Sequence, residues 1–305
     1  MPSGFEVIHG GIFTLIQDRG RFGFNSLGVS TSGVMDEYAY LYANKLLEND
    51  LETNVLEVLF TGLTLKATSS FVISITGADL SFSINDKSFT SWQTFNIKKD
   101  DILTFKKSIL GQRAYLAVKN GFDIKKEFGS CATTIKESLG GLTGKVLKKG
   151  DFLFCETSFQ SFNKKLKSIH HPNYNENLTL RVVLGYQEEF FSREEKEKFF
   201  SKEFVVTNET NRMGIKLKGE SVHSSIDGII SEGISFGAIQ EPKDGQPIVL
   251  LKERQTIGGY PKIGSVLSID CFKLSQLKAN SKIRFEEISL EKAKEKLKKF
   301  YSLLK

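Results

Sequence analysis

Short apolar–polar alternations separated by turn residues run through the first half of the chain, and they limit its fold more than any other feature. Leu80-Ser81-Phe82-Ser83-Ile84 alternates with a period of two, Asn85-Asp86 supplies a turn, and residues 92–97 read as the returning strand. Residues 71–76, 102–105 and 114–118 continue the series. Helical patterns are few. Residues 36–47 place Tyr38, Leu41, Tyr42 and Leu46 on one side, with Asp36 as N-cap. Ser192 is followed three residues later by Glu195, the signature of a capping box. A Lys-rich segment opening at Ser289 predicts a C-terminal helix with a solvated charged face. With 305 residues, 40% of them hydrophobic and 25 of them Phe, such a chain can bury a substantial core as one large domain or two average ones. The pattern predicts a mainly β protein.

Charge and composition exclude several functions. The net charge of +6 comes from lysines spread along the chain, with no basic stripe interleaved with aromatics, so nucleic-acid binding is not expected. Cys131, Cys155 and Cys271 are far apart and form no CxxC, which argues against a zinc ribbon and for reduced, buried thiols. The N-terminus lacks a basic-then-apolar leader, and no run of 18 apolar residues occurs, so a cytoplasmic protein without a membrane span is expected. His9, His170, His171 and His223 offer no metal-binding pair, because the adjacent two point apart. Neither a phosphate-binding P-loop nor a nucleophile elbow is present. Carboxylates, arginines and amides are left to carry any chemistry, and no metal ligand is assigned.

Two glycine-punctuated clusters hold those groups. In residues 239–262, Pro242-Lys243-Asp244-Gly245 reads as a turn and residues 248–251 as a short buried strand. Glu253, Arg254 and Gln255 then precede Gly258-Gly259 and Tyr260-Pro261-Lys262. Small residues let the backbone approach a ligand here, and polar groups flank the gap. Arg254 could clamp a carboxylate or phosphate through its planar fork, Gly258 and Gly259 could donate backbone N–H groups, and Gln240, Gln255 and Tyr260 could reach the same ligand. The other cluster contains Gln17-Asp18-Arg19-Gly20-Arg21-Phe22-Gly23, then Gly28, Gly33 and Met35-Asp36. Asp18, Arg21 and Asp36 are its candidate catalytic groups, and Asp79 is a further substrate-binding candidate. Each also has a structural reading: Asp18 as an ion pair with Arg21, Asp36 as a helix cap, Asp79 as a turn former. The two clusters are expected to share one cleft. A polar stretch over 159–177 reads as a linker, giving expected units 1–160 and 161–305.

The ordered series of blocks resembles the biotin-dependent carboxyltransferase family, also called allophanate hydrolase subunit 2 or KipA. It comprises QD.GR.G, GV..SG.MD, Leu56-Glu57, Thr76-Gly77-Ala78-Asp79, residues 113–118, Gly140-Gly141-Leu142, Gly150-Asp151, Arg212-Met213-Gly214, residues 237–240, and Gln255-Thr256 with residues 258–261. Departures are Lys119-Asn120-Gly121 in place of a Gly-Gly pair, Glu253 in place of Asp, and Ile257 in place of Thr. The resemblance implies two tandem cyclophilin-like β-barrel units with a few short helices. Arg21-Phe22-Gly23 with Gly28 and Arg212-Met213-Gly214 with Gly219 would be echoes of that duplication. It also implies a C-type component of an ATP-dependent 5-oxoprolinase, inactive alone, that works with a KipI-like B-type component and an A-type component on a small-molecule substrate. ATP, with Mg²⁺, would be its co-substrate. The alternatives within the family are handling of carboxybiotin, with biotin carried by another protein, and a non-catalytic antagonist of a kinase inhibitor.

Overall fold

The structure is a computed structural model that describes residues 2–157, 162–175 and 177–303. It divides into two compact units, Met1–Phe22 with Ser32–Tyr174, and Gly23–Thr31 with Asn175–Lys305. The division expected at 160/161 falls outside the described residues.

The first unit contains β1 (Gly4–Gly10), β2 (Phe13–Gln17), α1 (Glu37–Leu46), β3 (Val55–Leu59), β4 (Leu63–Ala67), β5 (Phe71–Asp79), β6 (Ser83–Ile84), β7 (Lys87–Ser88), β8 (Gln93–Ile97), β9 (Ile102–Thr104), β10 (Leu110–Val118) and β11 (Phe152–Phe154). Its strands form two sheets, ordered β11-β1-β4-β9-β6-β7 and β2-β3-β10-β5-β8. One core joins them: Phe5, Val7, Leu65 and Leu103 from the first sheet meet Ile16, Val58, Ile73 and Leu116 from the second. The Asn85-Asp86 turn forms as expected, with φ of 48° and 63°, the left-handed pair that matches a hairpin's twist. The strand expected over 80–84 is shorter. Ser81 takes φ 51° and donates its N–H to Asp79 Oδ1, so pairing starts only at Ser83. Asn120 holds φ 62° before Gly121 at φ 80°, a conformation Asn tolerates. Residues 162–174 lie along β8: Thr94 N–H donates to the Lys164 carbonyl, and the His171 ring stacks on Trp92 at 5.2 Å.

The second unit contains β12 (Asn177–Leu184), α2 (Arg193–Ser201), β13 (Phe204–Thr210), β14 (Gly214–Lys218), β15 (Glu232–Gly233), β16 (Ala238–Gln240), β17 (Ile248–Leu250), β18 (Ile257–Gly258), β19 (Lys262–Val266), α3 (Ser268–Leu274), β20 (Lys282–Glu287) and α4 (Leu290–Ser302). Seven strands close a barrel in the order β12-β19-β16-β17-β14-β13-β20, sealed by parallel pairing of β12 with β20. Buried positions alternate along the strands, as at Leu180 and Val182, Ile215 and Leu217, and Ile283 and Phe285. The helix caps are as the sequence predicts: Ser192 accepts from Glu195 N–H, and Ser289 from Lys292 N–H. The apolar side of α4 packs Ala293 and Leu297 against Leu267, Ile269 and Ile288. Helix α3 is an addition to the sequence reading. Arg181 fixes it with a two-pronged ion pair to Asp270, at 2.8 and 2.5 Å. Among the described residues no helix is long and apolar enough to cross a membrane. The molecule is mainly β with a few short helices and a C-terminal one, as the sequence predicts.

Candidate functional site

In the second unit the chain leaves β17 and folds back as a loop before re-entering the barrel at β19. Gly245 N–H closes the expected turn on the Pro242 carbonyl at 2.9 Å, with Gly245 at φ 68°. Downstream of β17, Leu251 N–H bonds the Met213 carbonyl and Glu253 N–H the Arg212 carbonyl, so the strand's neighbours hold the loop's root. Glu253 is committed here as well: its Oε1 lies 2.5 Å from Arg212 Nε in a buried ion pair. The longer carboxylate therefore serves the fold rather than a ligand.

Arg254 differs from its neighbour. Its Nε donates to the Ile234 carbonyl at 2.9 Å and its Nη1 to the Leu251 carbonyl at 3.2 Å. Both acceptors are neutral, and no carboxylate among the described residues pairs with it. Partial burial lowers its pKa, yet a guanidinium stays charged. The result is a half-buried positive charge without a counter-ion. Ile234, whose carbonyl anchors it, also packs with Ala238 and Leu250.

The same place gathers further predicted residues. Glu232 and Gly233 of β15 pair with Gly258 and Ile257 of β18. A Cβ added at Gly258 would lie 2.8 Å from Gln240 Nε2 and 2.6 Å from Ile234 Cδ1. Gln240 is only 4% exposed, and its Nε2 has no hydrogen-bond partner. A buried amide N–H₂ without an acceptor is costly, about 1–3 kcal/mol, unless a ligand or water fills the gap. The Gly259 carbonyl accepts from Ile229 N–H at 2.8 Å, which holds the 228–233 segment over the loop. Gln255 and Tyr260 are exposed on the same loop. The structure thus gathers Arg254, Gln240, Gly258 and Gly259, with Gln255 and Tyr260 at the rim.

Sequence reading missed several groups beside them. Glu232 accepts hydrogen bonds from the Tyr186 hydroxyl and from Gln187 Nε2, and lies 2.5 Å from Lys262 Nζ. The hydrogen bonds from Lys262 and Tyr186 hold its pKa below the usual carboxylate range. Glu241 is 3% exposed, and neither of its carboxylate oxygens has a partner. Burial pushes its pKa well up, and the nearby charges of Asp244 and Glu195 add to the effect. Only its position after Gln240 hinted at this; nothing in the local pattern marks a Glu as buried.

In the first unit the predicted residues are largely committed to the fold. Asp18 accepts from Ser130 Oγ at 2.6 Å, Cys131 N–H at 2.6 Å and Gly20 N–H at 2.9 Å. Arg21 is fully buried, and it donates to the carbonyls of Glu127 and Ala132 and to Thr134 Oγ1. These three bonds tie it to the 127–134 segment. Asp36 caps α1 through Ala39 N–H at 3.1 Å and accepts from the Tyr174 hydroxyl at 2.6 Å, fully buried. It belongs to a buried network in which its own N–H donates to the Tyr115 hydroxyl and Tyr115 donates to Glu57. Asp79 accepts from Ser81 N–H at 3.0 Å and shapes that turn. A cleft of about 860 Å³ also opens in this unit, lined by Asp18, Asp50, Glu52, Asp123 and Glu156 with Lys126. Among the described residues no three His, Cys, Asp or Glu side chains are placed to hold a metal ion. All three cysteines are free and buried, as expected.

Comparison with known proteins places the chain. It is 33% identical to the C-type component of the 5-oxoprolinase of Escherichia coli (strain K12) over 293 residues, covering 94% of this chain and 92% of that one. It is 30% identical to the corresponding 5-oxoprolinase component of Haemophilus influenzae, covering 91% and 89%. The solved K. lactis urea amidolyase superposes with a TM-score of 0.90 at 27% identity, covering 99% of this chain and 20% of that larger protein. The family described as carboxyltransferase domain, subdomain A and B, matches residues 27–287, and the chain belongs to that family.

Proposed function

We propose that this chain is the C-type component of an ATP-dependent 5-oxoprolinase, and that its second unit binds the anionic part of the substrate. One observation carries the reading of the site. Arg254, a half-buried cation without a counter-ion, and Gln240 Nε2, a buried donor without an acceptor, both border Ile234, with Gly258 beside the amide. Such donors suit a carboxylate or a phosphoryl oxygen. 5-Oxoproline carries a carboxylate next to a lactam, and a lactam is a poor electrophile. ATP would supply the phosphoryl group that turns the lactam oxygen into a leaving group. The chain's own part is to bind and orient: the Arg254 fork on an anion, the Gln240 amide on a second oxygen, and the backbone at Gly258 allowing close approach. The A-type and KipI-like B-type partners are expected to complete the active site, and no Mg²⁺ ligand is assigned to this chain.

The similarity to a urea amidolyase favours one second reading, in which the same donors hold carboxybiotin delivered by another protein. ATP-dependent glutamate release from 5-oxoproline, measured on the three-component assembly, separates the two. Release should require this chain and fall in Arg254→Ala. Undiminished release without this chain would refute the proposal.

A further inference from the structure

Lys262 pairs with Glu232, and that pairing leaves most of its ammonium unused. The nitrogen is buried and lies 2.5 Å from Glu232 Oε1, its one partner among the described residues. An ammonium carries three N–H donors, so its charge is matched while most of its hydrogen bonds are not. Gln240 Nε2 is in the same condition, buried and without an acceptor. Strand pairing and contacts bring the two donors to one place. Lys262 and Gln240 are direct partners across β19 and β16, and Glu232 and Gly258 are direct partners across β15 and β18. Opposed residues of an antiparallel pair project to the same face, with Cβ atoms about 4.5–5.5 Å apart. The Cβ direction of Gly258 runs at Gln240 Nε2, 2.8 Å away, so Glu232 projects to the side of that amide, and its ion pair with Lys262 closes the ring of four residues. Gly258 lies outside the left-handed region, so its missing side chain answers to space rather than to backbone strain. The far side of Glu232 is held by the Tyr186 hydroxyl and by Gln187 Nε2.

Charge selects the ligand group. Lys262 and Glu232 cancel, so an anion set against the pair would be repelled by Glu232 as it was attracted by Lys262. A neutral carbonyl oxygen meets no such repulsion, and its two lone pairs match the two spare donors. We propose, resting on the reading of this loop as a substrate site, that Lys262 is a further substrate-binding residue: with Gln240 Nε2 it donates to the carbonyl oxygen of a five-membered cyclic amide. The lactam of 5-oxoproline and the ureido ring of biotin both present that oxygen. Glu232 keeps the ammonium charged and aimed, and the bare backbone at Gly258 leaves room beside the amide.

The test is calorimetric titration of the full chain with 5-oxoproline, with free biotin, and with tetrahydrofuran-2-carboxylate, which keeps the ring and carboxylate of 5-oxoproline but lacks its carbonyl. Wild type, Lys262→Met and Arg254→Ala are compared, with thermal melts to confirm folding. Wild type should prefer 5-oxoproline to tetrahydrofuran-2-carboxylate by about tenfold or more. Lys262→Met should abolish that preference by weakening 5-oxoproline alone, whereas Arg254→Ala should weaken both carboxylates. Binding of biotin that depends on Lys262, with none of 5-oxoproline, would uphold the carbonyl contact and assign it to the ureido ring. If Lys262→Met weakens both carboxylates alike, or neither, Lys262 is not a carbonyl donor and the proposal falls while the Arg254 site stands. If wild type binds neither 5-oxoproline nor biotin, or if Arg254→Ala leaves 5-oxoproline binding unchanged, the site reading falls and this proposal with it. Should Lys262→Met fail to fold, Lys262→Met combined with Glu232→Gln leaves no unpaired charge and serves the same comparison.

Discussion

Replacing Glu241 by Gln should stabilise the protein, and by an amount that grows with pH. In the unfolded chain the carboxyl ionises near its ordinary value of 4.5, whereas in the folded chain burial holds that ionisation well above it. The sign follows from proton binding. Between the two values the folded state carries one proton more than the unfolded state, so raising the pH favours unfolding. The stability is fully present below the unfolded value and is lost progressively as the pH rises toward the folded one. Each pH unit in that window costs about 1.4 kcal/mol. For a protein of this size, about 1.4 kcal/mol corresponds to roughly 2 °C in melting temperature. Glutamine keeps the volume and removes the titration, so the gap between wild type and Glu241→Gln should widen by about that amount per unit from pH 5 upward. Urea unfolding at pH 5, 6, 7 and 8 measures it. Parallel stability curves for the two proteins would show that Glu241 finds a donor or solvent in the folded state, and would refute the reasoning.

Other outcomes follow from the same geometry. Arg254→Lys keeps the charge but loses the planar fork, and under the proposed function should lower kcat/KM for 5-oxoproline in the three-component assembly roughly 10- to 150-fold, for about 1.5–3 kcal/mol of charge-assisted bonding. A lowered melting temperature with unchanged activity per folded molecule would instead mark Arg254 as structural. Gly258→Ala would press a methyl on Gln240 Nε2 and Ile234 Cδ1. It should weaken sulfate binding with only a small change in melting temperature, because both neighbours are ends of flexible side chains; unchanged binding counts against the pocket. Asp36→Ala removes the α1 cap and the Tyr174 partner. It should cost about 1–3 kcal/mol in urea unfolding while leaving activity per folded molecule intact; a specific loss of turnover would return Asp36 to the catalytic candidates.

Local rules were enough for the elements whose signals are local. Asp36, Ser192 and Ser289 each stand before helical sequence and each accepts the expected N–H, because a cap needs only a side-chain oxygen and the next three residues. The Asn85-Asp86 turn and the Pro242–Gly245 turn before β17 were legible for the same reason: backbone conformations with positive φ select few residue types. Composition and period gave the mainly β character, and the ordered blocks gave the family.

Tertiary structure decided which polar groups remain available. Arg21 and Arg254 look alike in sequence, each an arginine beside glycines. Both donate to neutral acceptors, but Arg21 is fully buried among the charges of Asp18, Glu137 and Glu127, whereas Arg254 is half-buried with no carboxylate among the described residues paired to it. Glu253 and Glu241 also look alike, yet the first meets Arg212 across the barrel strands and the second meets no donor. The partners lie 41 residues away for Glu253 and 111 residues away for the Ala132 carbonyl that Arg21 reaches. Closing such separations depends on strand order and barrel register, which are set by the packing of the whole unit, so a window of neighbouring residues fixes where a charged side chain begins but not what it meets.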